Sequence, residues 1–97
     1  MPQRFSDEQL RQLRNQVPLR PLLVRLRWPH KSRADQLTFV CPHCGESRSD
    51  LNPRENLLRC FHCQTNFNPI DFTMAARDCD FVAAVHYLLR LDAQSND

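Results

Sequence analysis

The spacing of apolar residues along this chain switches from helical to alternating and back again. Leu10, Leu13 and Val17 recur at helical intervals behind Ser6, and Gln9 three residues after Ser6 completes a capping box. Asp7 and Glu8 suit the positive end of that helix. Pro18 and Pro21 end it and open a second, since proline is tolerated in a first turn. Leu19, Leu22, Leu23 and Leu26 then follow the i, i+3, i+4, i+7 template, with Arg20, Arg25 and Arg27 off the stripe, until Trp28-Pro29 stops the helix.

Beyond Pro29 the period shortens. Leu37-Thr38-Phe39-Val40 is a β-type run leading into Cys41, and Leu57-Leu58-Arg59-Cys60-Phe61 is a second one leading into Cys63. Asn52-Pro53-Arg54-Glu55-Asn56 between them reads as a turn, so the two runs are expected to form a hairpin. Helical spacing returns after Pro69. A short helix over Pro69 to Ala76 is followed by one that Asp80 caps, with Phe81, Val82, Val85, Leu88 and Leu89 as its apolar stripe and a tail from Ala93 that frays. These elements make one small α+β domain, 1–97, with arginine-bearing helices over 6–29, a hairpin region over 37–63 and C-terminal helices over 69–91.

Composition narrows the chemistry. The chain has 97 residues with five cysteines and one glycine. A lone glycine leaves no Gly-rich cradle for a dinucleotide or a triphosphate, which excludes free-standing kinases, NTPases and dehydrogenases. The N-terminus has no apolar run behind its arginine, and no stretch approaches the ~20 apolar residues of a membrane span. A cytoplasmic setting keeps thiols reduced, so paired cysteines there read as metal ligands rather than disulfides.

Cys41-Pro42-His43-Cys44 and Cys60-Phe61-His62-Cys63 are two Cys-x-x-Cys units with fifteen residues between Cys44 and Cys60. Each unit forms a knuckle that turns both sulfurs inward, and two knuckles give the tetrahedral sulfur set of structural Zn²⁺. Cys41, Cys44, Cys60 and Cys63 are the predicted ligands of one zinc ion per chain. Four thiolates close its shell and leave no position for a catalytic water. Gly45 supplies a left-handed residue after the first knuckle. His43 and His62, each between two ligands, are expected to face solvent, and Cys79 to be a small buried hydrophobe. A redox dithiol would need a βαβ context that this pattern lacks.

Charge is unevenly placed. Twelve of the thirteen basic residues are arginine, and seven positive charges fall between Arg11 and Arg33 without an acid. Arginine offers planar, bidentate donors suited to phosphate, so this segment is either a nucleic-acid face or a solvated helical surface. Alternation along the second run puts Leu57, Arg59 and Phe61 on one side. Arg59 with Phe61, flanked by Arg48 and Arg54, suits a single strand, whose bases stack and whose backbone needs cations. Phe61 can instead pack under the C-terminal helix. Trp28 and Phe67 are read as packing residues.

Taken together, Phe39-Val40-Cys41-Pro42-His43-Cys44, Leu57-Leu58-Arg59-Cys60-Phe61-His62-Cys63, Ile70-Asp71-Phe72 and the Phe81-to-Leu88 helix resemble the N-terminal zinc-binding domain of bacterial DnaG-type primases. The resemblance implies a zinc ribbon, a small antiparallel sheet packed with helices, that engages single-stranded template. It departs from that family in three places. Cys44 stands where histidine is usual, Gln64-Thr65-Asn66-Phe67-Asn68 replaces a glycine-bearing loop, and Ser47 to Leu51 replaces a basic-Thr-Pro-Ser-Phe stretch. An asparagine is expected to take the unusual backbone angle in the altered loop. The catalytic domain of that family lies downstream and does not follow within these residues. The protein is therefore expected to be non-catalytic, binding single-stranded DNA as an accessory to a separate primase, polymerase or helicase. The other reading is a protein-interaction adaptor of a replication complex with little DNA affinity of its own.

Overall fold

A computed structural model describes residues 5–33 and 36–94. Two helices lead into two small antiparallel sheets, and two further helices close the fold. Helix α1 spans Asp7–Gln16, and the Ser6 hydroxyl accepts from the Gln9 N–H at 3.0 Å, as the capping box requires. Val17 leaves the helix in extended conformation because Pro18 follows it.

Helix α2, Leu19–Arg25, buries Leu19, Leu22 and Leu23. It ends earlier than Trp28-Pro29. Arg27 adopts φ 54°, and the N–H groups of Arg27 and Trp28 return to the carbonyls of Val24 and Leu23, both at 3.0 Å. That is a Schellman turn with arginine at the position usually held by glycine.

The expected hairpin is differently built. Strand β1, His30–Arg33, pairs with β2, Gln36–Phe39, in the register His30↔Phe39. Strands β3 (Ser49–Asn52), β4 (Leu57–Cys60) and β5 (Thr65–Phe67) form a separate sheet in the order β3-β4-β5. The strand preceding the Asn52–Asn56 turn is therefore Ser49–Asn52 and not the Leu37–Val40 run. β2 reaches β3 through a side chain: the buried Ser49 hydroxyl accepts from the Phe39 N–H at 2.7 Å and donates to the Phe39 carbonyl at 2.6 Å.

The turn itself is held by Asn52, whose side-chain oxygen accepts from the N–H groups of Arg54 and Glu55. At its end Asn56 takes φ 53° and donates its amide to the carbonyls of Arg14 at 2.9 Å and Val17 at 2.8 Å. Those carbonyls belong to the last turn of α1 and the residue that ends it, where intrahelical partners run out. The N-terminal helix is thereby pinned to the second sheet.

Helix α3, Pro69–Arg77, has Asn68 as its N-cap, accepting from the Asp71 N–H at 2.8 Å. Helix α4 runs Phe81–Gln94 behind Asp80, which accepts from the Ala83 N–H at 2.8 Å. It thus includes the backbone of Ala93 and Gln94; the expected fraying beyond Gln94 lies outside the described residues. Its inward face is Ala84, Val85 and Leu88, whereas Phe81 is 38% exposed and Val82 and Leu89 are half-buried. Helix α1 packs on α3 and α4.

The centre of the core is aromatic. Phe39 of β2, Phe67 of β5 and Phe72 of α3 meet edge to face, with ring centroids 5.7–6.4 Å apart, and Trp28 packs on Phe72 at 5.6 Å. Burying each such ring contributes about 1.5–3 kcal/mol, and edge-to-face geometry adds to it. Among the described residues, no helix is long and apolar enough to cross a membrane.

Candidate metal centre and the adjoining strand face

The first knuckle follows β2. Gly45 N–H bonds to the Cys41 carbonyl at 2.9 Å, Cys41 N–H to the Glu46 carbonyl at 2.8 Å, and His43 N–H points at Cys41 Sγ, 3.4 Å away. Gly45 has φ +78°, as its place after the knuckle suggests. The second knuckle joins β4 to β5, and its counterpart of Gly45 is Gln64, with φ 58°. No asparagine takes that angle in this loop. Asn68 is extended in φ and caps α3 instead.

The two knuckles meet crosswise. Cys41 Sγ lies 3.6 Å from Cys63 Sγ, and Cys44 Sγ lies 3.5 Å from Cys60 Sγ. All four sulfurs fall within 4.8 Å of one another. A tetrahedral ion with ~2.3 Å bonds needs sulfurs about 3.8 Å apart, so the cage has the right size. Cys41 and Cys60 are buried, Cys44 is partly buried and Cys63 is exposed.

The sulfurs differ in acidity. Burial pushes the Cys41 thiol up to about 12. The Thr65 hydroxyl, 3.2 Å from Cys63 Sγ, leads the contacts that lower Cys63 to about 6. A coordinated divalent cation deprotonates all such thiols outright. The donor set is soft, four-membered and closed, which suits structural zinc and leaves no open position.

His43 and His62 are exposed and outside the sulfur cluster. The His43 ring rests against Phe67 at 5.0 Å. Cys79 is half-buried beside the core, away from the metal cage. Trp28 and Phe67 are packing residues, as read from the sequence. Trp28 is half-buried with its indole N–H on the Val40 carbonyl at 2.7 Å, and Phe67 is buried.

Next to the cage, β4 presents Arg59 to solvent while Leu58 and Cys60 point inward. Phe61 is 53% exposed, so it does not pack under α4. The Arg59 guanidinium stands 5.7 Å from the centroid of the Phe61 ring, within cation–π range. Arg59 also donates to the side-chain oxygen of Asn66 on β5 at 3.2 Å. The sequence marks Asn66 as a member of this face only through the period-two pattern of Thr65-Asn66-Phe67, with Phe67 inward. Arg48 is exposed at the same end of the sheet, where its carbonyl accepts from the Phe61 N–H at 2.8 Å. Arg54 is exposed in the turn at the opposite end. Asp50 is the cross-strand partner of Arg59, which sets a carboxylate in the same row.

Residues 19–66 match a family model described as a transposase zinc-ribbon domain, slightly under half of the chain. No curated protein matches the chain. The match is to a transposase-type ribbon and lends no support to a primase origin. The knuckle geometry and the match agree on the common element: the protein contains a zinc ribbon in which Cys41, Cys44, Cys60 and Cys63 hold one structural Zn²⁺.

Proposed function

We propose that the protein is a non-catalytic nucleic-acid-binding module that delivers single-stranded DNA contacts to a separate DNA-processing enzyme. The observation that carries this reading is the exposed Arg59–Phe61 pair, with the guanidinium over the ring beside a strand that ends on the Cys60 ligand. An aromatic face accepts any base, and an adjacent guanidinium answers the phosphate that follows it. The exposed Arg20, Arg25, Arg27 and Lys31 give the N-terminal half a further positive surface. Likenesses to a transposase ribbon and to a primase ribbon both fall among enzymes that work on DNA. A primase, polymerase, helicase or transposase is the kind of partner this suggests.

Titrating labelled single-stranded and duplex DNA into the zinc-loaded protein at two salt concentrations tests the reading. Preferential single-strand binding that weakens with salt supports it, and absence of binding at low salt overturns it. Asp50 opposite Arg59 favours a second reading, an adaptor that kept the ribbon and lost strand affinity. That reading gains if Arg48, Arg54 and Arg59 are replaced by alanine and partner binding survives unchanged.

A further inference from the structure

A groove of about 370 Å³ opens between the first knuckle, β5 and α3. It is open to solvent, and its volume lies at the lower end of the range for ligand sites. Its lining includes the aromatic residues His43 and Phe67 and the thioether residue Met74, and its polar members are Thr65, Asn66, Asp71 and Cys79. Asn66 also bounds the Arg59–Phe61 face, because its oxygen accepts from the Arg59 guanidinium. That bond turns the amide oxygen toward Arg59, and the N–H₂ remains as a donor. Asp71 sits in the first turn of α3 with its backbone N–H on Asn68, and its carboxylate has no partner among the described residues.

We propose that this groove is a base subsite, taking one unstacked base that carries an exocyclic amino group in preference to thymine. The inference rests on the single-strand reading above and extends it from backbone and stacking to base identity. A flat imidazole and a flexible, polarizable thioether suit the face of a heterocycle. The Asp71 carboxylate accepts from the amino group of cytosine N4, where thymine presents O4, a second acceptor that repels it. The Asn66 amide donates to an acceptor on the ring. A carboxylate near a phosphate-binding arginine otherwise weakens strand affinity, so the place of the exposed Asp71 on the groove lining and off the Arg59 row gives it a base rather than a phosphate to face.

Titrating dCMP and dTMP separately into isotopically labelled, zinc-loaded protein tests the subsite by itself. The Met74 methyl and the Asp71 amide should shift, with dCMP binding about tenfold tighter than dTMP. Asp71→Asn, which keeps the shape and adds a donor, should erase or reverse that preference. Equal responses to the two nucleotides, or shifts confined to other surfaces, overturn the proposal. Oligonucleotides separate it from the reading beneath it. If oligo-dC and oligo-dT bind alike, and Asp71→Asn changes neither, the subsite falls while strand binding stands. If dCMP shifts the groove but no oligonucleotide binds, the strand reading falls, and with it the groove's role as a subsite for a strand, leaving a site for free nucleotides only.

Discussion

The Ser49 side chain holds the Phe39 backbone at both ends, accepting from its N–H at 2.7 Å and donating to its carbonyl at 2.6 Å. One hydroxyl thus performs what a strand would do for that peptide pair, and it joins two sheets that share no ladder. Ser49→Ala leaves a buried donor and a buried acceptor unpaired. The expected loss is about 2–3 kcal/mol in urea denaturation of the zinc-loaded protein. A loss within about 0.5 kcal/mol would show that water replaces the hydroxyl.

The equivalent positions Gly45 and Gln64 make opposite predictions. Both have positive φ, a conformation that costs a residue with a Cβ about 1 kcal/mol or more. Gln64→Gly should raise stability by about 0.5–1 kcal/mol. Gly45→Ala should lower it by a similar amount although nothing stands within 4 Å of the new Cβ. Thermal midpoints of the two variants measure this, and a destabilised Gln64→Gly would mean that the side chain supports the loop.

How much of this was legible in the sequence depends on where the information sits. The helices and the cysteine cage are written in local patterns: a capping box at Ser6, prolines at 18 and 21, apolar periodicity and knuckle spacing. Strands β1 and β3 are not. His30-Lys31-Ser32-Arg33 has no apolar residue, and Ser49-Asp50-Leu51-Asn52 has one, among residue types depleted from strands. They form because Phe39, Ser49 and the knuckles bring backbone edges together, which is tertiary information. The same holds for Gln64, whose left-handed angle follows from the symmetry of the two knuckles and not from its own preference.

Asn56 offers a test of the link between α1 and the ribbon. Asn56→Gly keeps the positive φ easily and removes only the two bonds to the Arg14 and Val17 carbonyls. A loss of about 1–2 kcal/mol is expected. Amide exchange should accelerate in α1 more than in α3. Uniform acceleration would deny Asn56 a local role.

Zinc retention should depend on the four cage cysteines and on pH. Cys41→Ser or Cys60→Ser should abolish stoichiometric zinc and cooperative folding, since metal binding is folding energy in so small a domain. Cys79→Ser should retain one zinc per chain. The Cys63 thiol is lowered to about 6, so its charged form is favoured above that pH, and this contribution is lost as pH falls through it. Zinc affinity should therefore steepen its decline below about pH 6 by about one proton per ion. Chelator competition across that range measures it, and a constant slope from pH 7 to 5 would contradict it.

On the strand face, Arg59→Ala and Phe61→Ala should each weaken single-strand binding by about 1–2 kcal/mol. Arg59→Ala should also lower the salt slope by about one ion. Because the guanidinium lies over the ring, the double variant should differ from the sum by about 0.5 kcal/mol or more. Strict additivity would mean that the two side chains act apart.

The chain contains one tryptophan. Trp28 donates its indole N–H to the Val40 carbonyl, one residue before the first zinc ligand, and stands edge-on to Phe72 in the aromatic centre. Its emission should therefore change with both the metal site and the core. Zinc loading should thus be readable from the protein's own fluorescence, without a label.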